Sequence, residues 1–201
     1  MTFNKLLAST VICFYSFSAS AIDANLEQEY VPKGWYKAGS QPDGYRVGIE
    51  LEGSLDGTQV AFIESKANAG EKFATLMQHV EASAYIGKKV KISVSLKSHE
   101  LDNWAGAWIR VDGLVAGKST MLSMDNMSDR PLLESTQWNR YEMVVDVPDN
   151  ATTLNYGVLL QGRGKVWMDN FEIDTVDDYT PVTAQWPKKV EQPVNLSFDI
   201  E

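Results

Sequence analysis

Apolar and polar residues alternate with a period of two along most of this chain of 201 residues. Because successive side chains of a strand point to opposite faces, this alternation predicts half-buried β-strands. About ten short segments show it, separated by turns rich in glycine, proline, asparagine and aspartate, and a helical period is almost absent. Such a series predicts an all-β chain folded as a single antiparallel β-sandwich or jelly roll.

The predicted strands differ in how clearly the sequence marks them. They are residues 45–51, 58–65, 73–81, 89–97, 104–112, 120–124, 138–147, 154–160 and 165–174. Residues 73–81 fit a strand or a helix by period alone, and a strand is preferred because a short turn ending at Gly87 follows. Residues 161–164, Gln-Gly-Arg-Gly, predict a β-hairpin between the last two strands.

Residues 104–112 carry the most informative alternation. One face is purely apolar and is predicted to face the core; it comprises Ala105, Ala107, Ile109 and Val111. The other face, which we call the outward row, comprises Trp104, Trp108, Arg110 and Asp112. Exposed aromatic area marks recognition surfaces, but tryptophan is usually mostly buried. The row is therefore either a stacking surface for a ligand, or a sheet, a loop or the C-terminal tail covers its indoles.

The first 21 residues have the pattern of an export signal. Lys5 gives a positive start, residues 6–17 form a short apolar run, and Ala19-Ser20-Ala21 supplies small residues for cleavage. Neither this run nor any later one is long enough to span a bilayer. We therefore expect a periplasmic or secreted protein, cleaved near Ala21, with a sandwich domain at residues 22–180 and an extended tail at 181–201.

Charge and cysteine content narrow the classes of partner. Cleavage would remove Lys5 and Cys13, leaving 17 basic and 27 acidic residues, a formal charge of −10, and no cysteine for a disulfide. A net negative surface argues against nucleic acid and anionic membranes as partners, and it fits neutral ligands or cations. The tail after Tyr179 has three prolines and no periodicity, so it is either disordered or laid along the sandwich with Leu196 and Phe198 as anchors.

Six short motifs, taken in order, resemble a known family of bacterial domains. They are Pro32-x-Gly34-Trp35, residues 106–112, residues 125–130, Trp138-x-Arg140-Tyr141, residues 157–164 and residues 166–170. Over residues 32–174 the chain resembles bacterial jelly-roll domains similar to carbohydrate-binding modules, of the kind appended to some S41-type peptidases and some proteins labelled transcriptional regulators. The resemblance implies a galactose-binding-like sandwich, but the ligand must be argued from residues because a fold does not fix a function.

The outward row holds the groups that a carbohydrate site needs. Indole faces pack on the apolar face of a sugar ring, and carboxylate, amide and guanidinium groups hold its hydroxyls. Outward positions of other strands would extend the site if those strands lie beside it on one sheet; they are Arg46, Glu50, Asn155 and Gln161. On this hypothesis, Trp108→Ala keeps the fold and loses glycan binding. The equal alternative for Arg110 is an ion pair with Asp112 or Glu50 that only orders the sheet.

The polar loop at residues 125–130 is a second candidate. Asp125, Asn126 and Asp129 offer oxygen ligands of the kind that calcium prefers, although the loop lacks the glycine and final glutamate of an EF-hand. Through Asp125, Asn126 and Arg130, the loop is also a candidate to close over a ligand at the edge of the outward row. The alternative is a hydrogen-bonded loop in which Asp125 or Asp129 pairs with Arg130.

Asp169 is a candidate metal ligand through the resemblance alone. In many jelly-roll modules that this chain resembles, an aspartate of the last strand helps to hold a structural calcium ion. Residues 166–170 match that position, with Glu27 or Glu29 as a candidate co-ligand. The alternative is a carboxylate that caps nearby backbone amides.

Catalysis and protein docking are the competing functions. Glu50 and Asp112 are the first pair to test as the acid and base of a glycan-acting enzyme. His79 and His99 are isolated, and the sequence has no HExxH or GxSxG motif, so we expect no enzyme. Tryptophan and arginine are enriched at protein interfaces, so the outward row also suits a partner protein of the cell envelope. The favoured hypothesis is a non-catalytic carbohydrate-binding sandwich.

Overall fold

The computed structural model describes residues 29–51, 59–184 and Leu196. Within these residues the chain forms ten β-strands and two short 3-10 helices, with no α-helix. The predicted export signal at residues 1–21, the candidate ligand Glu27 and the candidate anchor Phe198 lie outside the described residues. The described part contains no helix long and apolar enough to cross a membrane.

Two antiparallel sheets make up the described fold. The strands are β1 (Tyr36–Gly39), β2 (Tyr45–Glu50), β3 (Val60–Ser65), β4 (Phe73–Glu81), β5 (Lys89–His99), β6 (Ala105–Val115), β7 (Lys118–Asp125), β8 (Asn139–Asp146), β9 (Ala151–Gln161) and β10 (Lys165–Val176). The first sheet has the order β1-β4-β9-β6-β7, and the second has the order β2-β3-β10-β5-β8. The predicted sandwich is confirmed, and the ambiguous segment at residues 73–81 is a strand.

The hydrophobic core lies between the two sheets. In β6 of the first sheet the predicted inward residues are all fully buried; they are Ala105, Ala107, Ile109 and Val111. In β5 of the second sheet the buried aliphatic residues are Val90, Ile92, Val94 and Leu96. Burial of these side chains between facing sheets is the main stabilising contribution in such a fold. The same alternation sends the outward row of β6 to the outer face of the first sheet.

The predicted hairpin at residues 161–164 is wrong. Strand β9 pairs with β4 and β6 in the first sheet, whereas β10 pairs with β3 and β5 in the second. The segment therefore carries the chain from one sheet to the other. Gly162 and Gly164 have φ of 77° and 124°, and a Cβ on Gly164 would lie 2.9 Å from the His99 carbonyl oxygen. A tight crossing and a hairpin both need glycine, which is why the pattern does not separate them.

The segment after β10 lies against the edge strand β8. The Thr183 N–H donates to the Val144 carbonyl oxygen (2.9 Å), and the Val144 N–H donates to Thr183 Oγ1 (2.7 Å). Residues 181–184 are thus laid along the sandwich, the second of the two arrangements expected for the tail. Leu196 is 77% exposed, so it does not anchor the tail.

Candidate functional site

A groove of about 560 Å³ runs across the outer face of the first sheet. Strands β1, β4, β6, β7 and β9 all contribute side chains to it. Five residues predicted for the site line this groove: Trp104, Trp108, Arg110, Asn126 and Gln161. Four apolar or hydroxyl residues of β4 and β9 that were not predicted also line it: Phe73, Thr75, Met77 and Leu159.

The strand register explains why these side chains meet. Trp108 of β6 lies opposite Gly157 of β9, and Gly157 lies opposite Met77 of β4. Arg110 lies between Asn155 of β9 and Met124 of β7. Neighbouring strands are about 4.8 Å apart, so side chains in one such row are in reach of one another. The condition set from the sequence, that β9 lies beside the outward row on one sheet, is met.

Trp108 forms part of the floor of the groove. It is only 8% exposed, and its Nε1–H donates to Thr75 Oγ1 at 2.9 Å. The Thr75 hydroxyl donates in turn to the Val158 carbonyl oxygen at 2.8 Å. The indole is thereby held by its own sheet, and truncation to alanine would disturb packing as well as any ligand contact. Trp108→Ala is therefore not the clean test of binding expected from the sequence.

Trp104 is more open and borders the groove just before β6 begins. Its ring lies over Gly106, where a Cβ would come within 3.2 Å of Trp104 Cζ2. The Gln161 N–H donates to the Trp104 carbonyl oxygen at 2.8 Å, which ties the start of β6 to the end of β9. Each of the two interpretations thus fits one indole. Trp108 is mostly covered by neighbours on its own sheet, whereas Trp104 is half-buried at the groove and can meet a ligand.

Arg110 and Asp112 form the ion pair expected as one alternative. Arg110 Nε and Nη2 lie 3.0 and 2.8 Å from Asp112 Oδ2, and Asn155 Nδ2 donates to the same oxygen at 2.8 Å. The arginine side chain is 44% exposed and the aspartate side chain 17%. Asp112 and Asn155 therefore orient the guanidinium, and the guanidinium lines the groove.

Two amide side chains reach the groove, Gln161 from the end of β9 and Asn126 from the loop after β7. Gln161 Nε2 donates to the Glu71 carbonyl oxygen at 3.2 Å. Asn126 Oδ1 accepts from the Ser128 N–H at 3.1 Å. Each amide is fixed by one hydrogen bond to the backbone and lines the groove. An amide carries two donors and an acceptor with two lone pairs, so capacity for a ligand remains on both groups.

The loop at residues 125–130 is hydrogen-bonded internally, and of its candidate ligand residues only Asn126 lines the groove. The Asp125 side chain is fully buried: Oδ1 accepts from the Met127 N–H at 2.9 Å, and Oδ2 lies 2.6 Å from Arg130 Nη2. Burial acts to lower the pKa of Arg130, but its contacts with Asp125 and Asp129 outweigh burial and raise that pKa above its ordinary value. Asp125 and Arg130 therefore hold the loop together, contrary to the expectation that they close over a ligand.

Glu50 is not beside the outward row. It lies on β2 of the second sheet, where it accepts hydrogen bonds from Lys165 Nζ at 2.8 Å and from Trp167 Nε1–H. Arg46, which was also predicted to extend the row, is on the same strand and pairs with Glu64. Alternation predicts which face of a strand is outward, but it does not predict which sheet the strand joins. The expectation that Glu50 extends the row, or works with Asp112 as acid and base, is wrong.

The outer face of the second sheet carries a group of cations over aromatic rings that sequence reasoning missed. Lys165 Nζ lies 4.4 Å from the Phe62 ring centroid and 4.7 Å from that of Trp167. Lys97 Nζ lies 4.5 Å from the Trp167 centroid and 5.7 Å from that of Trp138. These contacts order the side chains of the second sheet among themselves. The rings lie on the opposite side of the sandwich from the groove.

Asp169 has one satisfied and one unsatisfied carboxylate oxygen. Oδ1 accepts from the Asn170 N–H at 2.7 Å, which is the capping role expected as the alternative to metal binding. Among the described residues, Oδ2 is buried without a hydrogen-bond partner. It borders a cavity of about 260 Å³ together with Trp35, Gln59 and Phe171. The described part of the chain places no three acidic, histidine or cysteine side chains together around a metal site, so an ion there would need carbonyl or amide oxygens.

Tyr45 supports the end of the groove that holds Phe73 and Gln161. It is fully buried, and its hydroxyl donates to the carbonyl oxygens of Lys72 and, at 3.0 Å, of Gly162. Burial raises the pKa of Tyr45 above its ordinary value. These carbonyls belong to the residues directly before Phe73 and after Gln161. The inward alternation of β2 is the sequence signal for burial of Tyr45, but its partners are set by tertiary structure.

Comparisons with known proteins identify the fold and one relative. No family model matches the sequence. An uncharacterized HTH-type transcriptional regulator of Bacillus subtilis (strain 168), YbfP, is 37% identical over 182 residues, which are 87% of this chain and 60% of that protein. The chain thus spans less than two thirds of its relative. A helix-turn-helix needs two helices, and residues 29–51 and 59–184 contain no α-helix. The described part of the chain therefore contains no helix-turn-helix.

A solved structure shows the same architecture. The CBM22-1 xylan-binding domain of Paenibacillus barcinonensis Xyn10C aligns with a TM-score of 0.52 and 17% identity, over 74% of this chain and 89% of that domain. At this identity the likeness shows the fold alone. The resemblance inferred from the motifs is confirmed at that level: the chain has the jelly-roll sandwich fold of a carbohydrate-binding module.

Proposed function

We propose that this protein binds a carbohydrate in the groove of the first sheet. The observation that carries the proposal is the convergence of two indoles with two amides and one guanidinium in a single groove. A largely apolar lining with a few placed polar groups is the usual composition of a small-molecule site. Indole faces suit the apolar face of a sugar ring, and the polar groups suit its hydroxyls. The structural neighbour is named as a xylan-binding domain, which supports the same class of ligand.

The polar groups of the groove are oriented before any ligand arrives. Asp112 and Asn155 fix the guanidinium of Arg110, and backbone contacts fix the amides of Asn126 and Gln161. Side chains that are already ordered lose less conformational entropy on binding. In this proposal Trp104 stacks on a sugar ring, Trp108 forms the packed floor of the groove, and the fixed polar groups set the orientation of the ligand.

Trp104→Ala tests the proposal with the least disturbance of the fold, because Trp104 is more exposed than Trp108. Affinity electrophoresis through gels that contain soluble xylan, glucan or galactan should retard the wild type with at least one polymer. Loss of one stacking ring should weaken that binding about tenfold. Trp138→Ala is the matched control, since that indole contacts Lys97 on the second sheet and should leave binding intact. Equal retardation of both variants and the wild type, or retardation of none, would contradict the proposal.

Docking of a cell-envelope protein on the same groove is the alternative, because tryptophan and arginine are enriched at protein interfaces. The two functions predict different effects of an added soluble glycan. A carbohydrate site loses its ligand when a soluble glycan is added. A protein interface would yield a defined partner in a pull-down, and added glycan would not displace it.

We also propose that binding occurs without catalysis. Glu50 and Asp112 lie on different sheets, and Arg110 is the one charged side chain among the described groove residues. A glycan-acting enzyme of the usual kind needs two carboxyl groups on either side of the bond to be cleaved. Purified protein incubated with a bound polysaccharide should release no new reducing ends; their steady accumulation would refute this part of the proposal.

A structural calcium ion at Asp169 is a further proposal, favoured by the buried Oδ2 that lacks a partner among the described residues. A carboxylate oxygen buried without a donor is costly unless a cation or a donor satisfies it. Asp169 would supply one ligand oxygen, and carbonyl or amide oxygens around the adjoining cavity would supply others. A chelator should then lower the midpoint of thermal unfolding and added calcium should restore it. An unchanged midpoint would contradict the proposal of a structural calcium ion.

Export remains our proposal for the first 21 residues, on their sequence pattern. N-terminal sequencing of protein recovered from the periplasm or the medium should begin at Ile22. Recovery of protein that still begins at Met1 would contradict it.

A further inference from the structure

Charge in the groove differs in sign from charge on the chain as a whole. The full sequence has a formal net charge of −9. The described residues that line the groove include one charged side chain, and that side chain is the cation Arg110. The nearest carboxylate on the same strand, Asp112, is mostly buried and is engaged by Arg110 and Asn155. The groove therefore offers an anionic ligand a guanidinium, whose charge Asp112 offsets, and its described lining residues include no carboxylate that would repel such a ligand.

The guanidinium of Arg110 is engaged along one edge. A guanidinium can bind a carboxylate through its Nε–Nη2 edge or through its Nη1–Nη2 edge. Asp112 Oδ2 occupies the first edge, at 3.0 Å from Nε and 2.8 Å from Nη2. Among the described residues, Nη1 has no hydrogen-bond partner, and the side chain is 44% exposed. The second edge is thus free for a planar anion, with Asp112 and Asn155 holding the group in place.

The spacing along β6 places this edge of the guanidinium within reach of a saccharide that lies over the indoles. Trp108 and Arg110 are two residues apart on the same face, about 7 Å along the strand. Trp104 and Arg110 are six residues apart, about 20 Å along the chain if it is extended. A saccharide long enough to run from Trp104 along the groove past Trp108 would therefore reach the guanidinium. Only a ligand with a carboxylate on the ring, or on a branch of it, would use the free edge in full.

We propose that the groove is selective for acidic saccharides and that Arg110 pairs with the carboxylate of a uronic acid. This inference rests on the proposed carbohydrate-binding function and adds the chemical class of the sugar. Arg110 is then a specificity-determining residue, while the indoles supply binding common to neutral and acidic sugars. Asp112 and Asn155 act as positioning residues, because they hold the guanidinium and leave its second edge to the ligand.

The test compares each polymer with its own neutral form. The probes are polygalacturonate, in which every ring carries a carboxylate, and glucuronoxylan, in which side groups carry it, each before and after chemical reduction of the carboxyl groups. Isothermal titration of the full chain should show tighter binding to at least one native polymer than to its reduced form, by about tenfold or more, as expected for a charge-assisted hydrogen bond. That preference should weaken as ionic strength rises.

Variants then assign the preference to one side chain. Arg110→Gln should bring the ratio of the two affinities close to one, and Arg110→Lys, which keeps the charge without the planar fork, should give an intermediate ratio. Lys118→Gln removes the same charge from an exposed position at the start of β7 and should keep the wild-type ratio. Thermal unfolding of each variant checks that the fold is retained.

The outcomes separate this inference from the function on which it rests. Equal binding of native and reduced polymers by the wild type would overturn the selectivity and leave carbohydrate binding standing. A loss of preference in Lys118→Gln as large as in Arg110→Gln would show an effect of overall charge and overturn the role of Arg110. If neither form of either polymer binds, and neutral glycans do not bind either, both the inference and the proposed function fail.

Discussion

Trp104 and Trp108 contribute to the groove in different ways, because their indoles meet different neighbours. Trp108 is packed on its sheet and donates to Thr75, whereas Trp104 lies over Gly106 at a more open position. Both residues occupy the same outward face of one sequence segment. Their difference follows from neighbours that are distant in the sequence: Trp108 donates to Thr75 of β4 and lies beside Gly157 of β9. The pattern at residues 104–112 thus predicted the face of each indole, and the exposure of each depends on tertiary contacts.

Trp108→Ala is expected to lower the free energy of unfolding by about 3–5 kcal/mol, because truncation of a packed tryptophan leaves a cavity. It also leaves the Thr75 hydroxyl without the indole donor. Trp108→Phe keeps most of the ring volume and should cost much less. Urea denaturation of both variants measures the difference. Trp104→Ala is the comparison: it should cost about 1 kcal/mol and still weaken ligand binding. A Trp108→Ala protein as stable as the wild type would contradict the packing described for this ring.

At the scale of secondary-structure elements, Asp125 joins the end of β7 and the loop after it to the segment after β10, which is distant in the sequence. It lies at the end of β7, its carboxylate contacts Arg130 in the following loop, and Thr183 Oγ1 donates to the same Oδ2 at 2.5 Å. Thr183 in turn is bonded to Val144 of β8. The loop that presents Asn126 to the groove is therefore held by an edge strand of the second sheet and by the segment after β10.

Asp125→Asn should lower the free energy of unfolding by about 2–3 kcal/mol, because it removes one partner of a charged, hydrogen-bonded pair whose acid is fully buried. Asp129→Asn is the matched control: that carboxylate contacts the same arginine but is 57% exposed, so its loss should cost about 1 kcal/mol or less. Urea denaturation compares the two. Equal losses for the two variants would show that burial of Asp125 does not matter to the loop.

The sequence predicted most strands and their inward faces, but not their assignment to sheets. Strand β2 illustrates the limit: Glu50 is outward, as its alternation predicts, yet it faces away from the groove because β2 pairs with β3. Asn155 and Gln161 have the same kind of pattern and lie beside β6 because β9 pairs with it. Strand pairing depends on contacts between distant residues, so one strand's period carries no information about it. The four-residue strand β1 is also too short for its alternation to mark it.

At the scale of the whole molecule, the sandwich presents two outer faces with different chemistry. The first sheet carries a groove with indoles, amides and one open guanidinium edge. On the second sheet, lysines lie over the aromatic rings, and Glu50 binds both Lys165 and Trp167. Cations and rings that satisfy one another offer less to a ligand than a groove with free donors. We therefore expect the ligand to bind on the groove face.

A titration of ¹⁵N-labelled protein with neutral and glucuronate-bearing xylan fragments, followed by NMR, tests this claim most directly. The indole N–H groups are separate reporters on the two faces, with Trp104 and Trp108 at the groove and Trp138 and Trp167 on the second sheet. Binding in the groove predicts saturable shifts of the Trp104 and Trp108 signals and of backbone amides near Leu159 and Gln161, with the second-sheet indoles unmoved. Shifts confined to Trp138 and Trp167, or no shifts with any fragment, would contradict it.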